Sequence, residues 1–181
     1  VGGCAGAGES LGEAAGWGMA ALPRCLTFTI NDRRLAVIHG SADDISRFVF
    51  SSTALDDKRR DLDALGVDGV IGGHCGLPFN TDVDGRIWHN PGVIGMPAND
   101  ATPRTWFSIL TPASEGIDFA TYPLDYDHMG AAQSMDQADL PESYATTLAT
   151  GLWPNMDVLP APERALKGRA LAADNYFWSY A

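Results

Sequence analysis

Two histidines stand at the ends of short apolar runs. Leu35-Ala36-Val37-Ile38 leads into His39-Gly40, and Val70-Ile71-Gly72-Gly73 leads into His74-Cys75-Gly76. An apolar run of this length reads as a buried strand, and glycines just beyond it let the chain turn sharply and let another group approach closely. Each strand would then deliver one imidazole to the carboxyl end of a sheet. Singly, either histidine fits a turn residue. As a pair, 35 residues apart in sequence, they suggest neighbouring strands offering ligands to one site. Neutral imidazole is a ligand for divalent transition metals, so the chemistry in view is metal binding at His39 and His74. A third polar strand end, His89-Asn90-Pro91-Gly92, follows a hairpin over 81–88 with Asp84-Gly85 in its turn.

Other chemistry-bearing stretches are weaker. Gly8-Glu9-Ser10-Leu11-Gly12 matches the G-x-S-x-G elbow of serine hydrolases, which has meaning only between a strand and a helix. No strand precedes Ser10 in the sequence, and the stretch fits a flexible leader capping a helix. The glycines of Gly3-Cys4-Ala5-Gly6-Ala7-Gly8 lack the Gly-Lys-Ser/Thr of a phosphate loop. His128 sits among Asp125, Tyr126 and Asp127 and fits a helix start. Arg104 could hold a phosphate or lie on the surface.

The elements that must position these residues follow from periodicity. Glu9 to Leu22 is expected as a helix stopped at Pro23. Cys25–Ile30 and Arg34–Ile38 form a hairpin around Asn31-Asp32. A helix opens at Ser41–Ser46, capped by Ser41 or Asp43. Asp56 to Leu65 reads as an amphipathic helix with Leu55, Leu62 and Leu65 inward, Lys58, Arg59, Arg60 and Asp61 in solvent, and Gly66 as its cap. Strands are expected over 105–110 and 117–122, and helices over 125–139 and 141–150. The division is a sheet domain over 1–124 and a helical extension over 125–181. The extension packs on the sheets or serves self-association through its aromatic tail, Asn175 to Tyr180.

The chain is 45% hydrophobic, enough for a core, and carries 23 acidic against 12 basic residues for a net charge of -11. That balance argues against nucleic acid or an anionic membrane as the main partner. No run approaches the ~18–20 apolar residues of a membrane span. Cys4, Cys25 and Cys75 are odd in number and widely spaced, with no CxxC pair. A disulfide framework or zinc knuckle is not expected, and a reduced, cytoplasmic setting is the default expectation. The N-terminus has neither the basic nor the apolar region of a signal peptide.

The order of motifs resembles the C-terminal half of the calcineurin-like metallophosphoesterases. In that family an αββα sandwich holds two metals through Asp-x-His, Gly-Asp-x-x-Asp, Gly-Asn-His-Asp/Glu, His-Gly and Gly-His-x-His. The resemblance covers about residues 1–125. It implies that His39 matches the His of His-Gly and His74 the first of Gly-His-x-His, both ligating the second metal. It implies that Asn90, with Gly73, Gly40 and His89, supports the site, and that Gly3-Cys4 is a worn remnant of the Gly-Asn-His position. Asp43 and Asp44 become candidate outer partners of the ligands, or simply charges at a helix start. The implied activity is hydrolysis of a phosphate mono- or diester by water activated between two divalent cations, Mn, Fe, Zn or Ni.

The departures are specific. Gly76 stands where the second His of Gly-His-x-His belongs, and neither acidic motif precedes His39. Some 80 or so residues ahead of Val1 would accommodate them, judged by domain size. Three readings therefore stay open: a phosphoesterase present as a partial or diverged chain, a non-catalytic module of the same fold, and a serine hydrolase using Ser10.

Overall fold

The computed structural model describes residues 21–180, so the expected helix over 9–22, Ser10 and Gly3-Cys4 lie outside or at the margin of the described residues. The chain runs β1 (Cys25–Ile30), β2 (Arg33–Ile38), α1 (Leu55–Leu65), β3 (Gly69–Gly72), β4 (Phe79–Val83), β5 (Arg86–Asn90), β6 (Thr105–Ala113) and β7 (Gly116–Leu124). Then follow α2 (His128–Gln137), α3 (Glu142–Thr150), the single turn α4 (Ala161–Arg164) and β8 (Asp174–Ser179). One sheet has the order β1-β2-β3-β5-β4 and the other β6-β7-β8.

Both expected hairpins form, for a local reason. Asn31 and Asp32 have φ of 47° and 60°, and Asp84 and Gly85 have 57° and 79°. Two successive positive φ values give the turn whose twist matches the flanking strands, and Asn, Asp and Gly tolerate it best. The crossover strands pair in parallel, with Ile38 opposite Gly72 and Ile71 opposite His89. The strands carrying the candidate ligands therefore end side by side.

Alternation along the strands builds two cores. Ala36, Ile38, Val70, Val83 and Trp88 face α1 and pack with its Leu62. Leu35, Ile87, Ile117, Phe119 and Trp178 fill the space between the sheets. Each large side chain buried this way contributes roughly 1.5–3 kcal/mol.

Three elements differ from expectation. The stretch over 41–50 is irregular rather than helical. Ser41 Oγ accepts from the Asp44 amide and donates to Asp43, while Asp44 accepts from the Ser46 amide. Short polar side chains bonding the nearby backbone compete with the helical ladder. In α1 the buried face is centred on Lys58, Asp61 and Leu62, and Leu55 is exposed. Lys58 reaches inside because its ammonium donates to the Ser51 and Thr53 carbonyls at 2.8 and 3.1 Å. Finally, the region over 125–181 is not wholly helical. Its aromatic tail is β8, which pairs with β7 and buries Trp178, since alternating aromatics suit a half-buried strand. Among the described residues no helix is long and apolar enough to cross a membrane.

Candidate functional site

His39 follows β2 directly and His74 lies two residues beyond β3, so the parallel pairing of these strands brings both to one rim. Their ring centroids are 4.8 Å apart, and His74 Nδ1 lies 3.0 Å from His39 Nε2. The loops beneath are tied together: the Gly73 amide donates to the His39 carbonyl at 2.9 Å. His74 itself has φ of 55°. A left-handed conformation costs a non-glycine residue free energy, so the surroundings must hold it there, a pattern concentrated at functional sites.

Three groups hold the rim. Asn90 is buried and donates to the Gly73 carbonyl at 2.8 Å and to Cys75 Sγ at 3.1 Å, while its Oδ1 accepts from the Gly92 amide at 2.8 Å. Gly40 has no room for a side chain: a Cβ would meet the Ile45 and Arg47 carbonyl oxygens at 2.5 and 2.8 Å. Asp61 of α1 accepts from the Ala42 amide at 3.0 Å, fastening the loop after His39 to the helix.

Burial, then the neighbouring His39, lowers the His74 pKa, opposed by the Ser46 backbone and the Asp44 charge. The ring is thus biased toward the neutral form that binds cations. Phe48 packs on it, with centroids 4.2 Å apart. No spacing rule pointed to Phe48; its signal in the sequence is the alternation Phe48-Val49-Phe50 just past the acidic loop.

His89 is not brought to the rim, which corrects its expected supporting role. Strand alternation sends Asn90 one way and His89 the other, into the core between the sheets. There it is fully buried against Phe119, with Nδ1 2.7 Å from Asn80 Oδ1. Burial pushes its pKa down to about 4. Arg104 bonds Thr102, Asp100 and the Leu171 carbonyl and lies over Trp106, a structural set of contacts. His128 begins α2 beside Tyr126. Asp43 bonds Ser41 and Asp44 bonds the Ser46 amide, while Asp44 also acts electrostatically on His74. Cys75 is buried and its thiol is pushed up to about 12, which leaves it inert as a nucleophile. Gly76 has φ of 70° and faces Trp153, so a histidine there would be strained. Among the described residues no group of three or more His, Cys, Asp or Glu side chains is placed to hold a metal.

No protein-family model matches the sequence, and no curated protein matches it. Solved structures do. A hypothetical protein from Pyrococcus horikoshii superposes with a TM-score of 0.68 at 16% identity, over 80% of this chain and 57% of that one. A metallophosphoesterase from Sphaerobacter thermophilus superposes with a TM-score of 0.65 at 22% identity, over 80% of this chain and 65% of that one. This chain therefore spans less than two thirds of the length of either. Identity this low speaks to architecture: the chain has a metallophosphoesterase-like fold of the calcineurin type.

Proposed function

We propose that the chain carries part of the metal site of a phosphate-ester hydrolase, with His39 and His74 as ligands to one divalent cation. The observation that carries this reading is the 3.0 Å separation of two ring nitrogens at the carboxyl ends of adjacent parallel strands. Two nitrogens each about 2.1 Å from one cation, in cis positions, would lie about 3.0–3.4 Å apart. For both lone pairs to point at the cation, the ring protons must sit on His74 Nε2 and His39 Nδ1. The same approach also serves a hydrogen bond between two neutral rings, one donating and one accepting.

A bound divalent cation would supply Lewis acidity toward a phosphoryl oxygen and would acidify a water. The chain's own contribution is placement. Parallel pairing sets the spacing of the imidazoles, Asn90 and Gly73 lock the loop that carries His74, and burial favours the neutral form of that ring. A tight site takes about four ligands, and these residues supply two. The chain alone should therefore bind Mn or Zn weakly and hydrolyse little. A complete site would need further ligands, and among the described residues no group of three or more His, Cys, Asp or Glu side chains supplies them. A second reading, a non-catalytic module of the same fold, is favoured by one observation: glycine stands at position 76 in a left-handed turn, φ 70°, where a further imidazole would be strained.

Calorimetric titration with Zn or Mn tests the ligand assignment. His39→Ala or His74→Ala should each weaken binding by at least about tenfold, the range seen when a group supporting a metal is lost. Binding unchanged by both substitutions refutes it. Hydrolysis of a chromogenic phosphodiester, assayed with added metal, then separates enzyme from module.

A further inference from the structure

The loop over 47–53 carries the ring that packs on His74, and it is fastened from two sides. From below, Lys58 is fully buried and its ammonium binds the Ser51 and Thr53 carbonyls. From the far end of the chain, Glu163 of α4 is buried, and its carboxylate accepts from the Ser52 amide at 2.9 Å and the Ser52 hydroxyl at 2.6 Å. Phe50 and Thr53 close the turn between them, the Phe50 amide donating to Thr53 Oγ1 and the Thr53 amide to the Phe50 carbonyl. Phe50 is buried among Cys75, Trp153 and Leu159. Phe48 stacks parallel to Phe50 at 5.8 Å and lies on His74 at 4.2 Å. A continuous series of contacts thus runs from α4, through the Ser52 turn and two stacked aromatics, to one of the imidazoles. A carboxylate bonded to both an amide and a hydroxyl at one residue fixes that residue more firmly than a loop would fix itself.

We propose that Glu163 is a positioning residue for the histidine pair, holding Phe48 against His74 through Ser52 although it is 111 positions beyond that serine in the chain. The part of this inference that concerns cation affinity rests on the reading of His39 and His74 as ligands; the part that concerns ring placement does not. The C-terminal segment is then a component of the site's geometry rather than an addition packed beside it.

Two readouts keep the parts separate. In the metal-free protein, at fixed pH, the His74 ring packs against Phe48 with centroids 4.2 Å apart, so its ring-proton signals should be shifted by the Phe48 ring current. Glu163→Ala should move these NMR signals toward their unstacked positions. Phe48→Leu should do the same, and the double variant should match Phe48→Leu alone. Glu163→Gln keeps an acceptor for the amide and a donor for the hydroxyl, and should leave the signals in place. In zinc titrations Glu163→Ala should weaken binding about tenfold, the lower end of what supporting groups contribute, with Glu163→Gln near the parent. If Glu163→Ala does not fold, Ser52→Ala decides, with a smaller shift in the same direction expected. Signals unmoved in a folded Glu163→Ala or Ser52→Ala protein, or effects of Glu163→Ala and Phe48→Leu that simply add, overturn the proposal. Absence of zinc binding in the parent chain would refute the ligand reading while leaving the ring-placement test intact.

Discussion

His74 lies just past β3 and His89 lies within its neighbour β5, yet they occupy opposite environments. His74 is at the rim, partly buried, in a left-handed backbone conformation, with its Nδ1 3.0 Å from another imidazole's nitrogen. His89 is inside, in regular strand geometry, fully buried between the sheets with one partner, Asn80. Both have lowered pKa values, and in both cases burial is the leading cause. The difference is what else is near. At the rim stand a second imidazole and an acidic loop, where we propose a cation binds. In the core Phe119 and apolar neighbours make a place for a neutral ring only. A lowered pKa alone therefore does not mark a functional histidine, and the proposed role of His74 rests on its geometry at a strand end.

The sharpest way to break this comparison is to remove each ring. His89→Ala leaves a cavity and an unpaired Asn80 Oδ1, and should cost about 3–4 kcal/mol in urea unfolding without altering zinc affinity. His39→Ala, at an exposed position, should change stability by less than about 0.5 kcal/mol while lowering zinc affinity. If His89→Ala is silent in stability, or lowers cation binding in a folded protein, the division between core and rim fails.

Acid offers the next test. The unfolded chain binds a proton at His89 near pH 6.5, and the folded chain only near pH 4. Between these values the unfolded state holds more protons, so stability falls as pH falls. The contribution is fully present above about pH 6.5 and is lost by about pH 4, amounting to roughly 3 kcal/mol. Urea midpoints at pH 7 and pH 4.5 should differ accordingly. The difference should shrink in His89→Gln, which cannot titrate.

The smallest effects concern the glycines beneath the rim. Gly40→Ala would drive a methyl against two carbonyl oxygens, and should destabilise by about 1–3 kcal/mol. Gly73→Ala meets nothing nearer than the His39 carbonyl oxygen at 3.4 Å, and should cost under about 1 kcal/mol. Thermal melts of the two variants compare them directly. An equal cost would mean that the loops after β2 and β3 are not held as differently as the contacts indicate.

Much of the architecture was legible because its signals are local. The hairpins over Asn31-Asp32 and Asp84-Gly85, the strands that end at His39 and His74, and the αL cap at Gly66 each rest on residues within a few positions of one another. The stretch over 41–50 misled because Ser41, Asp43 and Asp44 suit a helix start and an irregular turn equally well, and only their bonding decides between them. Lys58 misled because charge says solvent, whereas the carbonyls that receive its ammonium come from a different segment. The tail misled because a stretch with Asn175, Tyr176 and Phe177 gives no sign of which sheet edge awaits it.

What the residues alone determined here is the pair: two imidazoles, each released by an apolar strand into a glycine turn, since strand period and glycine freedom act over a few residues. What folding in three dimensions decided is which side each ring faces and what lies against it. The facing of His89, the packing of Phe48 on His74 and the reach of Glu163 to Ser52 all depend on contacts between distant segments, and only the closed fold specifies those.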